Sequence, residues 1–277
     1  MMPMIKQVAG FVRAIFYPYG KSCGITPFVI LFLPRTGSNF LAGKIDSHPQ
    51  VMCHHEVLNP ELPHPSQSVR EGTVRISFGS TAERDAAPWR FLQILFCNRG
   101  RLANGNPNPV KAIGAKISHY DWPLVFLSIL LNRRVKKIIV KRENVLASYV
   151  SEKQAIASGS WIYFKHMGQA KKAEPVYVDY DEFIKYERKR KVYYWVISAV
   201  GYLPAQKFFY IEYKEIKDAA AIRRLCEFIG VAGVAISTER TRKQADVPIV
   251  ERIVNVEEMR QHFTNTNRIR YLLEGNG

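Results

Sequence analysis

The chain has no two cysteines at C-x-x-C spacing and no histidine at a zinc-finger offset from any of them. Cys23, Cys53, Cys97 and Cys226 stand singly, which argues against a structural metal and against a disulfide scaffold, and fits a reducing compartment. No apolar run reaches the roughly 18–20 residues that a membrane-spanning helix needs. The longest, Trp122–Leu131, reads as a buried helix. A signal peptide is also missing: the N-terminal stretch mixes Lys6, Arg13 and Lys21 among apolar residues, with neither a continuous apolar core nor a small-residue cleavage site. That stretch reads as an amphipathic helix, packed on its own domain or resting on a membrane surface. Internal repeats and low-complexity tracts are absent. Acidic residues are scarce, 24 against 40 Lys and Arg, for a formal net charge of +16. Such a surplus calls for an anionic partner: nucleotide, nucleic acid, anionic lipid or acidic glycan. Hydrophobic residues make up 47% of the 277-residue chain, enough for a real core, so overall disorder is excluded.

One further absence is informative. The stretch FVILFLPRTGSNFLAGKIDSHP, from Phe28 to Pro49, reads like a phosphate loop, an apolar strand running into a Gly-containing turn and then a helix. The nucleoside-triphosphate loop requires G-x-x-x-x-G-K-[ST]. Here five residues lie between Gly37 and Gly43, and Ile45 stands where the magnesium-binding hydroxyl belongs.

What is present is an alternation of strands and helices. Phe28–Leu33, Ala112–Ser118, Arg134–Arg142 and Lys207–Tyr213 read as strands, and Val51–Cys53 as a short strand inside the loop His48–Leu62. Thr36–Ser47, Pro88–Gly100, Asp121–Asn132, Glu143–Ala157, Asp181–Leu203 and Ala219–Gly230 read as helices. The alternation predicts an α/β fold, a P-loop-like three-layer sandwich whose central parallel sheet is flanked by helices. No linker divides it, so one domain over 1–277 is expected, with 1–26 as its basic amphipathic segment.

In open parallel sheets ligands bind beyond the carboxyl ends of the strands, and three stretches fall there. In the first, Pro34–Asn39, Gly37 lets the backbone approach an anion, Ser38 and Asn39 open a helix whose free N–H groups and dipole attract phosphate, and Arg35 offers bidentate hydrogen bonds. In the second, Arg142 leaves a strand, and Ser148 and Ser151 follow on one helix face. The third is RTRKQ, Arg240–Gln244, which folds over an anion or is a solvated loop. KYERKRK, Lys185–Lys191, reads as a solvated helix face, although its charge keeps a nucleic-acid binder as an alternative.

Taken in order, these motifs resemble the sulfotransferases that use 3′-phosphoadenosine 5′-phosphosulfate (PAPS), in particular the bacterial carbohydrate branch with the Nod-factor and trehalose sulfotransferases. PRTGSNFL is similar to that family's loop for the 5′-phosphosulfate and VKRENVLASYVS to its motif for the 3′-phosphate. FYIEYKEI with LCEFIGV resembles its fourth-strand segment, and KQADVPIVERIVN its C-terminal cofactor-and-acceptor loop. The resemblance runs from about Phe28 to Tyr271. It implies that Arg35, Thr36, Gly37, Ser38 and Asn39 hold the phosphosulfate, with Arg35 stabilising the leaving group. Arg142 would hold the 3′-phosphate together with Ser151 or Ser148, Ser151 matching the family's arginine-to-serine separation better. Arg242, Lys243 and Gln244 would close over the cofactor. Glu56 is implied as the base, with His55 or His119 as rivals, and Lys116 as a contact to the sulfuryl group or acceptor. His54 and His55, as chain neighbours, cannot both face one ligand in an extended strand. The resemblance further implies a carbohydrate or glycolipid acceptor, the product adenosine 3′,5′-bisphosphate (PAP), no metal, no nucleic acid and a cytoplasmic, bacterial setting. Peripheral membrane contact and a homodimer stay open. The rival enzyme reading is a phosphoryl-transfer enzyme with a degenerate loop.

Overall fold

The computed structural model describes residues 4–19, 24–60, 74–75, 80–97, 101–102, 110–120, 122–159, 174–232 and 247–273. In chain order the elements are α1 (Met4–Phe16), β1 (Thr26–Leu31), α2 (Ser38–Asp46), β2 (Val51–Glu56), β3 (Val74–Arg75), α3 (Thr81–Ala86), α4 (Pro88–Cys97), β4 (Arg101–Leu102), β5 (Ala112–Ile117), α5 (Pro123–Leu131), β6 (Lys136–Lys141), α6 (Val145–Ser158), α7 (Tyr180–Gly201), β7 (Phe208–Glu212), α8 (Ala219–Ile229), α9 (Val256–Phe263) and α10 (Arg270–Leu273).

Five strands form one parallel sheet in the order β2-β5-β1-β6-β7. The two-residue strands β3 and β4 pair separately. β1 and β5 are apolar nearly throughout because both of their faces are covered. Gly114 of β5 leaves room for Phe28 of β1: a Cβ there would lie 2.2 Å from the Phe28 ring. Residues facing one way, among them Val29, Leu31, Met52, Ile113 and Ile139, pack with α1, α4 and α5. Those facing the other way, Phe28, Ile30, Val51, Cys53, Ile138 and Val140, pack with α2 and α8. A third apolar cluster joins α6, α9, α10 and the start of α7. This is the α/β sandwich the alternation predicts.

The chain leaves β1 for the far side of β5, returns, and then crosses to β6 on the opposite side of β1. The direction of winding therefore reverses beside β1, and the crevice at such a reversal is where open sheets bind ligands. Local boundaries differ from expectation in two places that matter. The strand expected to stop at Cys53 continues to Glu56, because β5 supplies a pairing partner that a polar His-His-Glu run cannot advertise. The helix expected from Thr36 begins at Ser38, because Gly37 adopts a left-handed conformation (φ 81°) that ends the turn. Cys53 and Cys226 are free thiols; Cys23 lies outside the described residues.

Candidate active site

The loop from Phe32 to Gly37 sits at the reversal point. Thr36 Oγ1 donates to Leu33 O at 2.8 Å, tightening the turn. Arg35 is left-handed (φ 63°), an uncommon and costly backbone state for a residue with a Cβ. Gly37 is hemmed in: a Cβ would lie 2.6 Å from Tyr213 Cδ2, so only glycine fits. Gly37 caps α2 without any side-chain hydrogen bond, which leaves the first N–H groups of the helix for another acceptor. Gly43, by contrast, lies inside α2 with open space around it, and Lys44 Nζ donates to Ile216 O at 3.0 Å. The glycine–lysine pair therefore turns away from the loop and does not form a triphosphate cradle.

Guanidinium groups from distant parts of the chain converge on this loop. Arg35 Nε donates to Ser151 Oγ at 2.9 Å. Arg142 Nη1 donates to Arg35 O at 3.3 Å, and its guanidinium lies 4.5 Å from the Tyr213 ring centroid. Arg190 Nη1 donates to Pro34 O at 3.2 Å and to the Tyr186 hydroxyl at 2.9 Å, which in turn donates to Glu152 at 3.0 Å. Arg252 donates to Gln154 Oε1 at 2.6 Å. Burial pushes Arg142 down to about 10, and the neighbouring Arg190 and Arg35 add to the effect. Burial likewise brings Arg252 to about 10, with Arg142 and Arg35 contributing. Arg35 is lowered by burial and partly restored by Glu152. Among the described residues, Arg190 Nη2 and Ser148 Oγ are buried without a hydrogen-bond partner. Buried polar atoms are ordinarily satisfied, so mutually repelling cations with such atoms beside them form a site that gains from a bound polyanion.

The other flank of the loop carries a carboxylate. Pairing of β2 with β5 runs in step to His54↔Ala115 and then jumps to Glu56↔Lys116, leaving His55 unopposed. One extra residue in a strand inverts its later alternation. Without the bulge His55 would face the α2 side with Val51 and Cys53; with it, Glu56 does. Lys116 Nζ donates to Glu56 Oε1 at 2.8 Å and also to Asn39 Oδ1, and lies 4.2 Å from the Phe32 ring centroid. Lys116 is buried and its pKa is lowered by that burial, against the opposing pull of Glu56.

The structure thus brings together Arg35, Thr36, Gly37, Asn39, Arg142 and Ser151 around one loop, with Lys116 and Glu56 tied to it through Asn39; Ser148 is buried on α6, one turn before Ser151. It separates the histidines. His54 is fully buried and pushed down to about 3. His55 is half-buried on the bulge. His119 stacks among Tyr120, Phe126 and Tyr193, where burial lowers its pKa. Arg242, Lys243 and Gln244 lie outside the described residues.

Two arginines were not anticipated. The segment Lys185–Lys191, expected as a solvated face, buries Glu187 and Arg190, because the inward line of α7 runs Phe183, Glu187, Arg190, Tyr193, Ile197. That helical spacing is legible in the sequence once a charged residue is allowed on it. Arg252 sits within a motif already singled out, VPIVERIVN, five residues after Val247 and not at the RTRKQ stretch, and no local pattern marks it.

No family model matches the chain. Nodulation protein H of Rhizobium meliloti is 23% identical over 246 residues, covering 86% of this chain and 92% of its own length. Nodulation protein H of Rhizobium tropici is 24% identical over 251 residues, covering 86% and 89%. Among solved structures, the sulfotransferase domain of the Synechococcus PCC 7002 olefin synthase aligns with a TM-score of 0.44 at 14% identity, covering 81% of each chain. A sulfotransferase from Alicyclobacillus acidocaldarius aligns with a TM-score of 0.43 at 14% identity, covering 89% of this chain and 94% of that one.

Proposed function

We propose that the chain is a sulfotransferase that moves a sulfuryl group from PAPS to a hydroxyl of a carbohydrate or glycolipid acceptor. The observation that carries this reading is the convergence of Arg35, Arg142, Arg190 and Arg252 on the loop Pro34–Gly37, with the Glu56 carboxylate linked to that loop through Lys116 and Asn39. The donor carries about four negative charges on two phosphate-derived groups, which matches clustered guanidiniums and an uncapped helix start. The nodulation proteins among the relatives agree with the Nod-factor branch to which the motifs point.

In this reading Arg142, with Ser151 or Ser148, holds the 3′-phosphate, and the loop N–H groups with Arg35 hold the 5′-phosphosulfate. Arg190 and Arg252 complete the cationic wall. Glu56 accepts the proton of the acceptor hydroxyl as its oxygen attacks sulfur in line with the departing phosphate. Arg35 and the loop N–H groups stabilise the charge that grows on that phosphate. Lys116 fixes the Glu56 carboxylate and links it to the loop, so base and donor are positioned together. The first test is thermal denaturation with PAP in the presence of a chelator, for the wild type and for Arg142→Ala. Stabilisation that the variant loses supports the donor site; no stabilisation of the wild type sinks the reading. Transfer of labelled sulfate from PAPS to an oligosaccharide panel then tests the acceptor class.

A further inference from the structure

The outer face of α1 remains unaccounted for by any of this. Its inner face is small and closely packed: a Cβ on Gly10 would lie 2.6 Å from the Trp89 ring, and Ala14 is buried. Its carboxyl end is pinned by Asn132 Nδ2, which donates to Ala14 O at 2.8 Å and Tyr17 O at 3.0 Å. The helix is therefore held on the domain. Yet Val8, Val12 and Phe16, spaced i, i+4, i+8 along one line, are 54%, 49% and 76% exposed. Arg13 is exposed beside them. The helices on which α1 packs also show apolar side chains to solvent, Ile94 on α4 and Leu124 on α5, and α4 exposes Arg90.

We infer that this face docks the protein peripherally on an anionic phospholipid membrane, with Val8, Val12 and Phe16 entering the headgroup–acyl boundary and Arg13 meeting the headgroups. An apolar line with an exposed arginine beside it, on a helix lying along the surface, fits interfacial binding. Among the described residues no helix is long and apolar enough to cross a membrane, so contact through this face is superficial. A second copy of the chain is the poorer occupant. Three side chains on one helix offer on the order of a few hundred Å², short of the roughly 800 Å² per partner of a stable interface. Two chains each carrying +16 also repel, whereas an anionic bilayer is attracted by the same charge. The inference does not rest on the sulfotransferase reading.

The test is co-sedimentation of the full chain with vesicles of phosphatidylcholine alone and of equal parts phosphatidylcholine and phosphatidylglycerol. Phe16→Asp and the double variant Val8→Asp/Val12→Asp are compared with the wild type, after circular dichroism shows their fold retained. The wild type should pellet with the mixed vesicles and not with the neutral ones. Phe16→Asp should lower the partition coefficient roughly tenfold or more, and Arg13→Ala about fivefold. Failure of the wild type to pellet with mixed vesicles overturns the inference. So does undiminished pelleting of both aspartate variants, which would assign the binding to basic surface elsewhere. A dimer in sedimentation equilibrium that Phe16→Asp dissociates, with vesicles ignored, would give the face to a second copy instead.

Discussion

The two flanks of the loop at β1 are built on opposite electrostatic plans. On the β6 side, arginines from a strand end, a loop, a long helix and a C-terminal segment crowd together, and burial, with neighbouring arginines adding to it, lowers Arg142 and Arg252. On the β5 side, Lys116 and Glu56 form an ion pair, and Asn39 accepts a second hydrogen bond from the lysine. The first flank gathers cations; the second pairs its charges. In an enzyme that joins a polyanionic donor to an uncharged hydroxyl, the two substrates would be divided in this way, the donor to the arginines and the acceptor to the carboxylate.

The sharpest way to break this division is Glu56→Gln. If Glu56 serves the acceptor side alone, sulfate transfer should fall by about 10²–10⁴-fold while PAP stabilises the variant as it does the wild type. Loss of both would show that the flanks are not separable. Arg142→Ala attacks the other side: removal of charge-assisted hydrogen bonds worth about 1.5–3 kcal/mol should weaken PAP roughly tenfold to a hundredfold in calorimetry. Arg190→Ala should act in the same direction, more weakly, since Pro34 O and Tyr186 absorb part of its donor capacity. If PAP affinity is indifferent to Arg190, the cationic wall ends at Arg142.

Acidity distinguishes the flanks again. His54 of β2 is held near 3 in the fold against about 6.5 when unfolded. Between those values the unfolded chain binds the proton and the native one does not. Its contribution is thus fully present above about pH 6.5 and is lost as pH falls from there toward 3. At pH 5 the loss should be about 2 kcal/mol, visible in urea denaturation and flattened in His54→Gln. PAP affinity should not track this loss but only the protonation of the PAP phosphates themselves at about pH 6, because Arg142 and Arg252 stay charged up to about 10. The smallest effects separate the serines. Ser151→Ala removes the hydroxyl that Arg35 holds and should weaken PAP a few-fold, about 1 kcal/mol. Ser148→Ala deletes a hydroxyl with no partner among the described residues, and a matching loss there would assign the 3′-phosphate to Ser148.

The candidate loop was legible because everything that makes it is local: an apolar strand, a left-handed glycine, a helix start. Lys116 and Arg142 were legible as residues leaving strand ends. The base was not. His54, His55 and Glu56 are adjacent letters, and which of them faces Lys116 depends on a bulge that pairing with β5 creates, 60 residues away in the chain. Arg190 reads as solvent-facing in the sequence because a run of charge hides a period that only packing against the loop reveals.

By itself, the order of residues determined the alternation of strand and helix, the parallel sheet and the glycine turn after the first strand, since each follows from periodicity and turn chemistry within a few residues. Tertiary structure decided that Glu56 and not His55 joins Lys116, that Arg190 and Arg252 turn inward, and that Ser151 touches Arg35. Those choices are made by register and by burial between segments far apart in the chain, and no local pattern carries that information.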